Sequence, residues 1–220
     1  MRFKDRRIAG QFLAQELVGY ANRSDVVVLG LPRGGVPVAF EVAKALNAPL
    51  DVLVVRKLGM PDREELAMGA IASGGVQILN KHIIKEANIS DEVIARVALR
   101  EEKELQRREK LYRSDRPLPN LQARTVILVD DGLATGATMW AAVVAVRKQK
   151  PAAIVIAVPV AASETCQDLK PKVDKTVCVE TPSPFYSVGL WYEKFPQTTD
   201  EEVRELLIKA TKYDRPLFAG

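Results

Sequence analysis

Apolar residues Ile8, Phe12, Leu13 and Leu17 fall on one helical face and predict a helix over Asp5 to Tyr20. Asp25 then precedes VVVLGL, a β-branched run bounded by Pro32, Gly34 and Gly35, which reads as a buried strand entering a turn. Helical spacing resumes from Val36 to Leu46 through Val38, Val42, Ala45 and Leu46, and LDVLVV (Leu50 to Val55) predicts a second buried strand. Strand, glycine turn, helix, strand is the signature of a βαβ unit. The pattern returns later: a strand over Thr125 to Val129, a turn over Asp130 to Gly136, a helix over Ala137 to Gln149, and a strand over Ala152 to Val160. Ser163 is placed to cap a short helix before Pro171, and Val173 to Val179 supplies one more strand. Two such units predict an α/β fold, a doubly wound and mainly parallel sheet flanked by helices, with ligands beyond the carboxyl ends of its strands.

The middle of the chain reads differently. Ser90, followed by Asp91 and Glu92, opens a helix that runs to about Arg113, with Val93, Ile94, Val97 and Ala98 as its apolar face. From Arg100 to Lys110 nearly every residue is charged with signs interleaved, a solvated face rather than a nucleic-acid contact. RPLP, Arg116 to Pro119, links this region to the second βαβ unit, and Thr199 with Glu202 forms a capping box for a terminal helix from about Asp200.

Length and composition narrow the classes. At 220 residues, with 47% hydrophobic and 27% charged positions, the chain suits one domain over 1–220. Its longest apolar run, Ala152 to Ala162, falls short of the ~20 residues of a membrane span, and its amphipathic N-terminus has no signal-peptide core, which implies a cytoplasmic protein. A single histidine, His82, excludes His-rich metal sites and argues against a Ser-His-Asp hydrolase; it reads as a surface residue at a helix start. Cys166 and Cys178 are too few for a disulfide scaffold and read as buried, inert thiols. The net charge of +4 suits a phosphorylated small substrate.

Candidate chemistry concentrates in VILVDDGLATGATM, Val126 to Met139. A strand end fixes Asp130 and Asp131 where they can accept hydrogen bonds from a vicinal diol and favour a nearby Mg²⁺. The following turn opens a helix whose unpaired N–H groups and positive dipole end suit an anion. Thr135 and Thr138 add hydroxyls, and Gly136 allows close backbone approach. A sugar phosphate with a free diol fits both halves.

This stretch resembles the phosphoribosyl pyrophosphate (PRPP) motif of type I phosphoribosyltransferases (PRTases). The resemblance implies that Asp130 and Asp131 contact the ribose hydroxyls and that Ala134, Thr135, Gly136, Ala137 and Thr138 hold the 5′-phosphate. GLPRGG, Gly30 to Gly35, resembles the family's pyrophosphate loop, with bare N–H groups at Gly34 and Gly35 and the fork of Arg33 as donors. RKLGMP, from Arg56 and Lys57, looks like the start of the flexible catalytic loop, most like the adenine-type pattern, closing over Leu58 to Met68. Glu64 or Glu65 could then pair with Arg56 or meet a base nitrogen. The match spans about residues 5 to 162. It departs from the 6-oxopurine enzymes at Ala134, where they carry an acidic general base, and in its long helical insert.

The family places a variable hood over the site, and the candidates are 74–116 and 182–220, a small helical and C-terminal element. Five aromatics crowd between Phe185 and Phe195; they read first as a C-terminal helix and loop packed on the core or at a dimer contact, with Trp191 and Tyr192 as the alternative faces on which a base could stack. The resemblance implies Mg²⁺-dependent transfer of phosphoribosyl from PRPP to a nitrogenous base by a homodimer, with release of pyrophosphate. Asp130, Asp131, Lys57 and Arg56 would be catalytic, and Asp130 and Asp131 would meet the metal, mainly alongside PRPP oxygens. Two other classes remain open: a non-catalytic PRPP-sensing regulator on the same fold, and a phosphoribosyl-type hydrolase or an enzyme using another pyrophosphorylated sugar.

Overall fold

The computed structural model describes residues 1–60, 63–114 and 116–211, with backbone alone over 63–66. Helix α1 (Arg6–Glu16) leads to strand β1 (Val26–Gly30), helix α2 (Gly35–Leu46) and strand β2 (Leu50–Val52). A three-stranded ribbon follows, β3 (Val55–Met60), β4 (Arg63–Ala72) and β5 (Val76–Leu79), then helices α3 (Lys81–Glu86) and α4 (Asp91–Arg113). The second unit is β6 (Thr125–Val129), α5 (Ala137–Lys148) and β7 (Ala153–Val160), and the chain ends in α6 (Ser163–Leu169), β8 (Lys175–Glu180) and α7 (Asp200–Ala210).

The main sheet is wholly parallel, in the order β2-β1-β6-β7-β8. Every residue of β1 and β6 is buried, as a strand covered on both faces requires. Side chains alternate between two cores. Val26, Val28, Ile127 and Val129 pack with α1 and α2. Val27, Leu29, Val126 and Leu128 pack with Met139, Ala142 and Val143 of α5 on the opposite face. From β1 the chain winds outward to β2, and from β6 it winds the other way to β7. The order of winding therefore reverses between β1 and β6, which leaves a crevice at their carboxyl ends.

Several expectations need correcting. The strand expected over Leu50 to Val55 is two: β2 stops at Val52, and Val55 begins the antiparallel ribbon. Ser73 closes the corner, donating its N–H to Val54 O (2.9 Å) and accepting the Val54 N–H on Oγ (3.0 Å). RKLGMP is thus largely a strand rather than a loop. Pro61 and Asp62, within the expected lid, lie outside the described residues, as do the side chains of Glu64 and Glu65. The cap of α6 is Ala162 with no side-chain bond, and Ser163 is the first helical residue. Cys166 and Cys178 are not free thiols: a disulfide joins α6 to β8. His82 lies in the first turn of α3, exposed and 3.2 Å from Glu86.

The expected hood segment 74–116 divides: Ile78, Leu79, Asn80 and Lys81 line a cavity with Ala137 and Thr138 at the start of α5. Helix α4 lies against β3 and α7, and its last turn is pinned where Arg113 meets Asp51 (2.9 Å) and the Val52 carbonyl. Helix α7 is capped by Thr199, whose hydroxyl accepts the Glu202 N–H at 3.1 Å.

Candidate active site

The crevice is built from two turns, one after each central strand. After β1 the chain runs through Leu31, Pro32 and Arg33 into α2, and Gly35 donates its N–H to Leu31 O at 3.0 Å. That N–H is therefore spent within the turn and is not a bare donor for a diphosphate. The glycines matter for space instead. A Cβ on Gly35 would stand 2.7 Å from Val129 O and 2.8 Å from Asp130 Cα, and one on Gly34 would overlap the Asp131 carboxylate. Two side-chain-free residues let the turn after β1 press directly on the acid pair after β6. Arg33 lines the cavity above them.

After β6 come Asp130 and Asp131, side by side and partly buried. The Asp131 N–H donates to Asp130 Oδ1 at 2.8 Å. Burial, reinforced by the Asp131 charge, pushes the Asp130 carboxyl well above the ordinary carboxylate range. Burial also raises the Asp131 carboxyl, against the opposing pull of the Arg6 guanidinium. Such a pair is costly to keep charged until hydroxyls or cations approach it.

The turn then reaches Gly136, which caps α5 at φ 70°, a left-handed conformation that favours glycine. No side chain caps this helix, so among the described residues the N–H groups of Ala137 and Thr138 have no protein acceptor. Thr135 and Ala134 are exposed at the same mouth. From behind, α6 supports the turn: Thr165 Oγ1 donates to Ala134 O at 2.5 Å, and Leu133 bridges to Ala161.

Over the acid pair lies a roof made from both ends of the chain. Phe3 bridges to Tyr192, and the Phe3 N–H donates to Trp191 O at 2.8 Å. Tyr192 is buried and its hydroxyl donates to Asp131 O at 2.6 Å, so it anchors the turn and offers no face to a base. Trp191 packs with Phe3 and Val160 and does not line the cleft. The cleft aromatic is Phe195. Together with Arg6, Arg33, Gly34, Asp131, Val188 and residues 196–198 it surrounds a cavity of about 490 Å³. Arg6 spans the roof: Nε donates to Asp131 Oδ2 (2.8 Å), Nη1 donates to Pro196 O (2.6 Å), and the guanidinium carbon sits 3.8 Å from the Phe195 ring centroid. The helical spacing of α1 draws attention to its apolar face and gives no sign of Arg6, whose partner is 125 residues away.

The two cations of the ribbon part company. In a strand successive side chains point to opposite faces. Arg56 turns to α4, where Nε and Nη2 both reach Glu101 Oε2 (2.9 and 2.6 Å). Lys57 faces the other way, into a cavity of about 470 Å³ shared with Ala137, Thr138 and Trp140. Of the four residues expected to be catalytic, Asp130 and Asp131 sit at the crevice, Lys57 shares a cavity with the start of α5, and Arg56 is held by α4.

A parallel sheet with helices on both faces, with paired acids and an open helix mouth where its winding reverses, defines a doubly wound α/β domain. The model of the phosphoribosyl transferase domain matches residues 3–189, and the chain belongs to that family. Two Mycobacterium tuberculosis proteins, MT0597 and Rv0571c, whose names assign them provisionally as phosphoribosyl transferases, are each 46% identical over 208 residues. The match covers 94% of this chain and 47% of theirs, so the chain spans about half the length of these relatives. Among solved structures, TT1426 from Thermus thermophilus superposes with a TM-score of 0.83 at 42% identity, covering 95% of this chain and 99% of that one. AQ2163 from Aquifex aeolicus shares the fold at a TM-score of 0.52 and 14% identity, covering 92% of this chain and 86% of that one. Among the described residues no helix is long and apolar enough to cross a membrane.

Proposed function

We propose that the crevice transfers phosphoribosyl from PRPP to a nitrogenous base and releases pyrophosphate. One observation carries the reading: an acid pair at the end of β6 lies one turn from the start of α5, which no side chain caps, and this suits a ligand bearing both a diol and a phosphate. The bond from the anomeric carbon to the diphosphate oxygen breaks as the bond from the base nitrogen to that carbon forms. The electron pair leaves with the diphosphate, and the nitrogen gives up its proton to solvent. Positive charge builds on the ribose in between, and Asp130 and Asp131 hold its hydroxyls and offset that charge. Arg33 meets the leaving diphosphate, with Lys57 brought in from the ribbon. The N–H groups of Ala137 and Thr138, with the Thr135 and Thr138 hydroxyls, hold the 5′-phosphate.

The acid pair also fits a Mg²⁺ ion. Two hard oxygen donors are present, and among the described residues no three His, Cys, Asp or Glu side chains form a cage. This suits an ion that keeps waters and takes most ligands from substrate oxygens. When bound, it would neutralise charge on the diphosphate.

The test is pyrophosphate release from PRPP and Mg²⁺ with a panel of purine, pyrimidine and carboxylated-pyrimidine bases. Release with at least one base is expected. A second reading, a PRPP sensor, is favoured by the engagement of Arg56 with Glu101, which takes one ribbon cation away from the crevice. Tight PRPP binding without pyrophosphate release would establish the sensor, and no PRPP binding would overturn both.

A further inference from the structure

We infer that Arg6 is a positioning residue: it clamps the roof segment 195–198 to the Asp131 carboxylate, and so sets the acceptor side of the cleft against the ribose side. This rests on the PRPP reading above for its effect on substrates, but the clamp itself is a property of the free protein. Three contacts define it. Arg6 Nε reaches Asp131 Oδ2 at 2.8 Å, Nη1 reaches the Pro196 carbonyl at 2.6 Å, and the guanidinium lies over Phe195 at 3.8 Å. Both ends of the ion pair are well covered, with side-chain exposures of 11% and 15%.

The division of labour within Asp131 follows from this geometry. Oδ2 is taken by Arg6, and Oδ1 has no protein partner among the described residues. The clamp thus fixes the carboxylate of a residue that lines the cavity. It also fixes Phe195 and Pro196, which wall the cavity where an acceptor would lie. The planar fork of arginine can serve a carboxylate, a carbonyl and an aromatic face together, whereas a lysine ammonium reaches only part of that set. Val188 adds a second hold, because its methyls press where Gly132 carries no side chain. Arg6 is the polar tie between α1, the acid pair and the roof, and Arg7 beside it is exposed.

The experiment compares Arg6→Gln, Arg6→Lys and the control Arg7→Gln in the full chain. Amide hydrogen exchange of 192–198 without ligand should accelerate about tenfold in Arg6→Gln, less in Arg6→Lys, and not at all in Arg7→Gln. Asp131→Asn should loosen the same segment, and Arg6→Gln combined with Asp131→Asn should add little to either alone. With PRPP and an active base, the acceptor KM should rise about tenfold in Arg6→Gln while kcat falls less than threefold, and Arg6→Lys should recover part of the loss. Unchanged exchange in Arg6→Gln, or fully additive exchange effects, overturns the clamp even if activity falls. Faster exchange with unchanged KM overturns its positioning of the acceptor. If the wild type neither binds PRPP nor transfers, the function proposed above fails, and the exchange data still decide the clamp.

Discussion

The two ends of strands β1 and β6 both carry aspartates, in opposite electrostatic settings. At the amino end, Asp25 accepts from Arg23 Nη2 at 2.7 Å and from Thr125 Oγ1 at 2.9 Å, and the Arg23 contact holds its carboxyl down at about 2. At the carboxyl end, burial and mutual repulsion push Asp130 the other way, with Arg6 as the one cation in contact with the pair among the described residues. A satisfied charge at one end of a sheet ties strands together. A buried pair at the other end, with a single cation beside it among the described residues, is the kind of perturbed group that the function proposed above would use.

This contrast can be broken or sharpened by four experiments, taken from the largest effect down. Asp131→Asn should lower pyrophosphate release about 100- to 1,000-fold while circular dichroism stays native, the scale of losing a preorganised electrostatic group. Wild-type turnover would remove Asp131 from the chemistry. Next, Gly136→Ala imposes a positive φ on a side chain and sets a Cβ 2.7 Å from Thr165 Cγ2. It should cost about 1–2 kcal/mol in denaturant unfolding and weaken PRPP binding about tenfold. Third, Asp130→Asn removes a repelled charge and should raise the unfolding midpoint by about 2–4 °C while transfer is lost. A lower midpoint would mean that the pair is a structural contact like Asp25.

The smallest effect concerns pH. The Asp25 carboxyl is lowered on folding, so its contribution is complete above the unfolded value near 3.8 and disappears as pH falls through about 2. Asp130 has the opposite sign: its folded carboxyl is raised, so its ionisation weakens the fold as pH rises above the unfolded value. Acid unfolding of Asp25→Asn should therefore lack part of the wild-type loss between pH 3.8 and 2, and Asp130→Asn should keep it. Identical acid profiles for Asp25→Asn and wild type would show that the pair with Arg23 contributes nothing.

What the sequence reveals here follows the range of the interactions. Strands β1, β6 and β7 are legible because burial on both faces demands unbroken apolar runs, and VILVDDGLATGATM is legible because strand end, acids, turn and helix start are contiguous. The ribbon β3-β4-β5 is not: Gly59 and Pro61 read as loop punctuation, while pairing such as Lys57 with Ala70 depends on distant residues. Nor does a row of aromatics say which member faces a cleft. Tyr192 is taken by Phe3 and the Asp131 carbonyl, and Phe195 is left at the cavity. The disulfide is hidden for the same reason, since Cys166 and Cys178 meet only once α6 and β8 have packed.

The roof has a consequence for how the molecule is made. Arg2 holds the Tyr192 carbonyl across 190 residues, and the Phe3 backbone lies alongside the same segment. During synthesis both central strands emerge well before this partner does, so the nascent chain carries a finished acid pair under an open sky. Closure waits for the segment around Tyr192, made long after β1 and β6, and the segment around Phe3 must stay available until then, a long-range appointment that slows this step of folding.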